Sequence, residues 1–338
     1  MSYKQMTGNI ISATKVEPDG NFKNSAASGV WSLQEAYDYT RGGNWPNVAN
    51  EVPRGLVMGG GDDSLRSNVI DYITITTTGN ATDFGDLSDN RRECDAFSSS
   101  TRAVVGGGSD ESLGTCNIME YVTIATTGNV TDFGNLTAVT KNSGAASSNT
   151  RGLFMGGSRG ETTDYITISS TGNASDFGDF DVGNAAAALC CGAASPTRAL
   201  VRGNGRAIHY FTIASTGNST DFGDTAINDT LLGALASNTR ALFAGGEGNS
   251  GSTGGEKIDF VTIASTGDAT DFGDMTTNVN KAVSGTASRT RGIFNGAYES
   301  NVISYVTIAT TGNATDFGDL TVARGLSGST SNTHGGIA

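Results

Sequence analysis

Proline is scarce, at 4 of 338 residues, which excludes a Pro-rich stalk or linker. Cysteine is as rare, and Cys94, Cys116, Cys190 and Cys191 follow no disulfide or metal-binding spacing. They read as inert thiols of a chain made in a cytosol. With two histidines, His209 and His334, a three-histidine metal site is impossible, and there is no HExxH or paired CxxC. No Ser/His/Asp set is suggested by spacing. Positive charge is in deficit: 21 Lys and Arg face 34 Asp and Glu, a net charge of −13. An acidic surface repels phosphate, so nucleic acid and anionic membrane are poor partners. No run approaches the roughly 18 apolar residues of a membrane span. The longest small-apolar stretch, 185–194, is interrupted by Cys and Gly, and the start MSYKQMTGNI lacks the apolar core of a signal peptide. Charged residues make up 16%, too few for a disordered chain held open by its charge.

Small polar residues fill the gap. Glycine alone contributes 48 positions, without a Gly-X-Y period, amid abundant Thr, Ser and Asn. This is the composition of a turn-rich all-β protein. A repeat organises most of it. The segment Tyr72-Ile-Thr-Ile-Thr-Thr-Thr-Gly-Asn-Ala-Thr-Asp-Phe-Gly-Asp-Leu87 returns from Tyr121, Tyr165, Tyr210, Phe260 and Tyr305, at steps of 44 to 50 residues. Ahead of each copy lies a second element: RGLVMGGG, TRAVVGGG, TRGLFMGG, TRALVRGN, TRALFAGG and TRGIFNGA. Between each Asp-Phe-Gly and the next Thr-Arg runs a stretch of small residues, such as GAASSN at 144–149.

A period in the forties with several short β segments fits a propeller blade. The small-residue stretch makes a narrow strand suited to a crowded axis. The apolar element ending in glycines makes a second, buried strand. Tyr-Ile-Thr-Ile alternates faces and is rich in β-branched residues, a third strand. Thr-Gly-Asn turns the chain, because Gly and Asn accept positive φ cheaply. Ala-Thr-Asp-Phe-Gly-Asp forms an outer strand whose phenylalanine (84, 133, 177, 222, 272, 317) wedges between neighbouring blades. The paired aromatics read as core, because large rings dominate core energetics.

The order of small strand, apolar strand with Gly-Gly, strand with Tyr and strand with a large aromatic resembles the kelch repeat. The double glycine stands at 59–60, 106–107, 156–157 and 245–246, and becomes Gly203-Asn204 and Gly296-Ala297 elsewhere; the last aromatic is Phe where kelch blades usually carry Trp. The full unit, TRG-apolar-GG…YITI-x-x-TGNATDFGDL, also resembles repeat-bearing virion structural proteins of marine bacteriophages, of the tail-fibre and kelch-like kind, over residues 54–333. The resemblance implies a virion subunit made in the bacterial host cytoplasm, homo-oligomeric in the particle, non-enzymatic and without cofactor.

Strand counting gives six sets, with the first lacking its small-residue strand. Ala323–Thr333 supplies one after the last outer strand. The expectation is an all-β, six-bladed kelch-like β-propeller of four-stranded antiparallel blades over 54–338, closed by the C-terminal strand, a device that removes open edges. Residues 1–53 lack the repeat and hold both tryptophans. IISATKVEPDGNF reads as short strands around a Pro-Asp-Gly turn. Ser32-Leu-Gln-Glu35 is a capping box for a short helix. GVWSLQEAYDYTRGGNWP resembles an N-terminal segment found ahead of unrelated C-terminal parts in marine phage virion proteins. The segment reads as an anchor to other virion proteins, with Trp31, Leu33, Tyr37 and Trp45 as its interface, or alternatively as a plug on its own propeller.

The Asn-x-Thr-Asp-Phe-Gly-Asp motif admits two readings. Asn80, Asp83 and Asp86 are a set of oxygen donors for calcium, or the motif is a turn whose side chains cap amides or pair with the repeated arginines 54, 102, 151, 198, 240 and 291. In antiparallel blades one face of the disc collects the uniform Ser/Asn-Thr-Arg and Thr-Gly-Asn turns. The other collects connections of varied length. Loop variety on a rigid scaffold is where binding resides, so a host surface glycan would meet Asp62, Asp63, Arg66, Asp110, Glu111, Arg159, Glu247, Asn249, Tyr298 and Glu299. The expected role is an exposed tail-fibre or adhesin propeller. The rivals are a capsid or neck decoration protein without a receptor, and a polysaccharide-degrading propeller enzyme, which would need carboxylates clustered at the central mouth.

Overall fold

A computed structural model describes residues 52–337, except 63, 184–186, 227, 249–253, 277–281 and 298–299. Residues 1–51, and with them Trp31, Leu33, Tyr37, Trp45, the short helix and the Pro-Asp-Gly turn, lie outside the described residues. The remainder forms six four-stranded antiparallel sheets in a ring. From the axis outward, blade 2 is Asp95–Ser98, Arg102–Gly106, Ile118–Thr123 and Thr131–Asn135. Blade 3 is Gly144–Ser147, Arg151–Met155, Thr162–Thr167 and Ser175–Asp179. Blade 4 is Cys191–Ala194, Arg198–Arg202, Ala207–Thr212 and Thr220–Asp224. Blade 5 is Gly233–Ala236, Arg240–Ala244, Lys257–Thr262 and Thr270–Asp274. Blade 6 is Ser284–Ala287, Arg291–Ala297, Ser300–Thr307 and Thr315–Asp319. Blade 1 is sewn from both parts of the chain. Gly328–Ser331 is its innermost strand, paired to Arg54–Met58, with Ser67–Thr74 and Thr82–Arg92 outside. The closure expected from strand counting is therefore present. It even restores a turn. In five blades a serine Oγ (Ser99, Ser148, Ser195, Ser237 or Ser288) accepts from the amide of the second-strand arginine at 3.1 Å. In blade 1, Asn332 Oδ1 accepts from the Arg54 amide at 2.9 Å across the chain break.

The innermost strands touch one another around the full circle, each with the strand of the next blade. Their small side chains permit this. A Cβ on Gly192 would collide with the backbone of Ala145 in the neighbouring blade, and one on Gly285 with that of Ala234. Six hydrophobic clusters each span one blade boundary. In the boundary of blades 1 and 2, Phe84, Leu87 and Met58 meet Cys94, Val105 and Ile124. The six outer-strand phenylalanines are buried as wedges, each stabilising by roughly 1.5–3 kcal/mol. Each meets the third-strand aromatic of its own blade edge-on, at centroid distances of 5.7 to 6.1 Å.

The repeated arginines do not pair with the motif's aspartates. Arg54 lies 4.5 Å above the Tyr72 ring and donates Nη1 to the Ile124 carbonyl of the next blade at 2.7 Å. Arg102, Arg151, Arg198 and Arg240 repeat the clasp onto Ile168, Ile213, Ile263 and Ile308, and Arg291 closes the circle on Ile75. The Thr-Gly-Asn turn also reaches across. Gly128 N donates to Phe84 O at 2.8 Å, and Asn129 Oδ1 accepts from Asp86 N at 3.1 Å. The same bond recurs from Asn80 to Asp319 at the last boundary. Here glycine is required, since a Cβ on Gly85 would collide with the Gly128 carbonyl. The motif is thus an interblade belt rather than a local cap, because its partners stand about one repeat away in sequence.

Candidate functional site

The first face carries the serine turns, the Thr-Gly-Asn turns and the chain's entry at Pro53. The opposite face carries the connections between second and third strands and those from each outer strand to the next innermost strand. Three buried ion pairs brace the second group. Arg91 meets Glu120 at 2.9 Å, Arg324 meets Asp71 at 3.0 Å and Arg159 meets Asp164 at 2.5 Å. The three acids occupy one position, immediately before the third-strand tyrosine. Thr137 and Thr321 donate to Asp164 and Asp71. A charged residue between apolar neighbours in a buried strand was the signal for these pairs, since such a charge must be compensated.

The connections then build a wall over blades 1 and 2. The outer strand of blade 1 runs on to Arg92 and pairs with a hairpin of Ser109–Asp110 and Gly114–Thr115. Arg66 ties the neighbouring loop to this hairpin, donating Nε to Ser109 O and Nη2 to Ser109 Oγ, both at 3.1 Å. Asp62 accepts from the amides of Ser64 and Leu65 at 2.7 Å, which hold its carboxyl below the ordinary range, and Arg92 reaches the Asp62 carbonyl. Asp110 is buried and accepts from the Leu113 amide. Glu111 accepts from Asn90 Nδ2 at 2.7 Å. The structure therefore gathers Asp62, Arg66, Asp110 and Glu111 into one wall, with Leu65 and Leu113 exposed at its tips (67% and 70%). Arg159 does not join them. Its guanidinium is turned inward onto Asp164 and the Phe154 carbonyl. On the opposite side of the ring, Glu247–Gly248 pairs with Asp229–Thr230 in the connection before blade 5, raising a second ladder. The Glu247 side chain, and Asp63, Asn249, Tyr298 and Glu299, lie outside the described residues.

Between the two sides the axis opens as a pit of about 80 Å³. One residue in left-handed conformation stands at each of its six entry connections: Glu93, Asn142, Leu189, Leu231, Ala282 and Leu326, with φ between 53° and 58°. Backbone bonds link several of them around the rim, Glu93 N to Leu326 O at 2.8 Å and Asn142 N to Glu93 O at 2.9 Å. Glu93 is held by Lys141 Nζ at 2.8 Å. Deeper in the wall stands Asp95, where blades 1, 3 and 5 have Gly328, Gly144 and Gly233. Enclosure by protein pushes its carboxyl up to about 7. Burial likewise pushes the thiols of Cys190 and Cys191 up to about 12, so neither is a thiolate nucleophile near neutrality. Residues 334–336 cross the axis on the other face. His334 Nε2 donates to Ser98 O at 3.0 Å, its Nδ1 accepts from Gly336 N at 3.1 Å, and Gly335 N donates to Ala236 O at 2.9 Å. This stretch spans blades 2 and 5 on the uniform face. Sequence reasoning missed the pit because Asp95 and this stretch each occur once.

No group of three or more His, Cys, Asp or Glu among the described residues is arranged to hold a metal ion. Asn80 is engaged by the Asp319 amide, while Asp83 is exposed on the rim. No helix among the described residues is long and apolar enough to cross a membrane. Compared with protein-family models and with curated proteins, the chain matches none.

Proposed function

We propose that the protein is a non-enzymatic structural subunit of a bacteriophage particle, a tail-fibre or adhesin-type propeller that presents its varied face to a host surface glycan. The observation that carries this reading is the contrast between the faces. One is built six times from the same turns and receives the chain from residues 1–53, the proposed anchor to other virion proteins. The other bears the unequal connections and the wall over blades 1 and 2. Many copies in a particle would turn weak contacts into firm attachment. The kelch-like, virion-type resemblance of the repeat supports the same assignment, and the charge of −13 suits a surface that leaves nucleic acid alone.

Binding of the purified full chain to an array of bacterial surface polysaccharides tests the reading. The expected result is retention on a subset of glycans, lost when the wall tip is changed by Leu113→Asp and Glu111→Lys. Binding that is absent from every glycan, or unaffected by both changes, would overturn it. One observation favours a decoration protein of capsid or neck instead: the wall's polar groups bond largely to one another. A particle map with the chain on the head and no glycan binding would select that role. A hydrolase would need a second carboxylate facing Asp95, and Glu93, the nearest in sequence, is engaged by Lys141.

A further inference from the structure

The axial pit breaks the sixfold pattern in a way that packing does not require. Glycine occupies the position of Asp95 in three other blades, Cys191 and Ser284 in the remaining two, and all of them complete the same innermost strand. Asp95 thus places a carboxylate where the ring closes well with no side chain at all. The Ala96 amide donates to its Oδ1 at 2.8 Å, and the Ala145 amide of the next blade also points to it. Those donors orient the group but bring no positive charge. Asp95 is half-buried, whereas the buried carboxylates Asp71, Glu120 and Asp164 of the first three third strands each have an arginine. Among the described residues, no Lys or Arg stands within ion-pairing distance of Asp95. A carboxylate partly withdrawn from bulk water without a counter-charge leaves part of its desolvation uncompensated.

The surroundings define what would supply that charge. The pit is open on the varied face, and a second, smaller axial cavity that shares part of its wall is lined by His334 and Gly335. Its volume of about 80 Å³ accommodates a few groups of water size. The lining of the pit also includes Ser284 and Ser329, whose hydroxyls donate to Ser327 O and Asn295 Oδ1 and can still accept, and the methyl groups of Ala96, Ala145 and Ala234. With Glu93 at the mouth held by Lys141, one anionic acceptor without a counter-charge, neutral acceptors and an apolar collar match a cation with several N–H donors on a small hydrocarbon tail. Bulkier quaternary ammonium would have no donors to give and too much volume. We propose that the axial pit binds a primary ammonium group carried on a short carbon stem, with Asp95 as its counter-charge. The guest enters from the varied face, directs its N–H donors to Asp95 and the serine hydroxyls, and lays its stem against the alanines. The inference is independent of the attachment reading, because it concerns the purified chain alone.

Thermal unfolding of the full chain at pH 8 tests it, with ethylammonium, tetramethylammonium and sodium chlorides at equal concentration. At about 0.2 M, ethylammonium should raise Tm by about 2–4 °C above the tetramethylammonium control, by mass action on the folded state. Asp95→Asn should abolish that difference. Asp95→Gly, which restores the residue found in blades 1, 3 and 5, should do so as well and guards against a folding artefact in the first variant. Equal shifts in the wild type and both variants would overturn the site. So would the absence of a shift in the wild type. A sodium effect as large as that of ethylammonium would overturn the choice of an amine.

Discussion

The two faces of the disc are made from the same strands and obey different rules. On the uniform face, each repeated side chain serves the ring: arginine clasps the next blade, asparagine takes an amide of the preceding one, and serine closes its own turn. Each such arginine serves the boundary it spans. On the varied face the ring asks only for compensated charges beneath the connections. The connections themselves differ in length and in contacts, down to a hairpin over blade 2 and none in blade 4. Repetition therefore marks positions that hold the wheel together, and departures mark positions released for another use.

The contrast is most severely tested at the closure. Removing residues 324–338 deletes the innermost strand of blade 1, the Arg324 pair and the residues that cross the axis. The expected outcome is loss of the cooperative melt in circular dichroism. Replacing the exposed loop at 111–113 with Gly-Ser-Gly should leave the melt nearly intact; similar damage from both would refute the division. Next in size is the wedge. Phe133→Ala should cost about 3–5 kcal/mol in urea unfolding. Glu120→Ala should cost a similar amount, about 3–5 kcal/mol, by stranding Arg91 in the core, whereas Arg91→Met with Glu120→Leu should be close to neutral. A pair mutant as unstable as the single mutant would show that geometry, not charge, is needed there. Smaller still, Arg102→Ala should cost about 1 kcal/mol through its stacking on Tyr121 and its bond to Ile168 O.

Acidity sharpens the comparison along the axis, where the two ends of the channel titrate in opposite senses. His334, held down to about 4, stays neutral in the fold and contributes stability above the unfolded value of 6.5 that is lost as pH falls towards 4. Asp95, raised from 3.8 to about 7, makes the fold bind a proton more tightly than the unfolded chain, so its contribution declines as pH rises from about 4 to 7. Melting curves from pH 4 to 8 should show Asp95→Asn removing the decline and His334→Gln removing the acid loss. Identical profiles for the wild type and both variants would contradict these shifts.

Much of this architecture was legible in the residues. Blade number, strand order, the phenylalanine wedges and the closing strand all follow from a pattern that repeats within reach of one strand and its turn. The arginine and asparagine roles were not, because their partners lie in the adjacent blade; Arg54 to Ile124 spans 70 residues. A local reading of Asp-Phe-Gly-Asp supplies a nearer acid and misassigns the arginine. Among the candidate loop residues, four converge on one wall, but no spacing distinguishes them from Arg159, whose acid lies only five residues away across a tight connection. The pit was invisible for the opposite reason. Asp95 is a single charged departure among the innermost strands, and its meaning depends on charges that three-dimensional neighbours fail to provide.

Blade 1 has a consequence in time. Its second strand, Arg54–Met58, leaves the ribosome before any other strand of the ring, while its partner Gly328–Ser331 leaves after all of them. At ordinary elongation rates, roughly a quarter of a minute to a minute separates the two. Throughout that interval the nascent sheet carries an unpaired flank. A chaperone, or a sister chain emerging nearby, would find its best opening there, and that opening disappears once Gly328–Ser331 has paired.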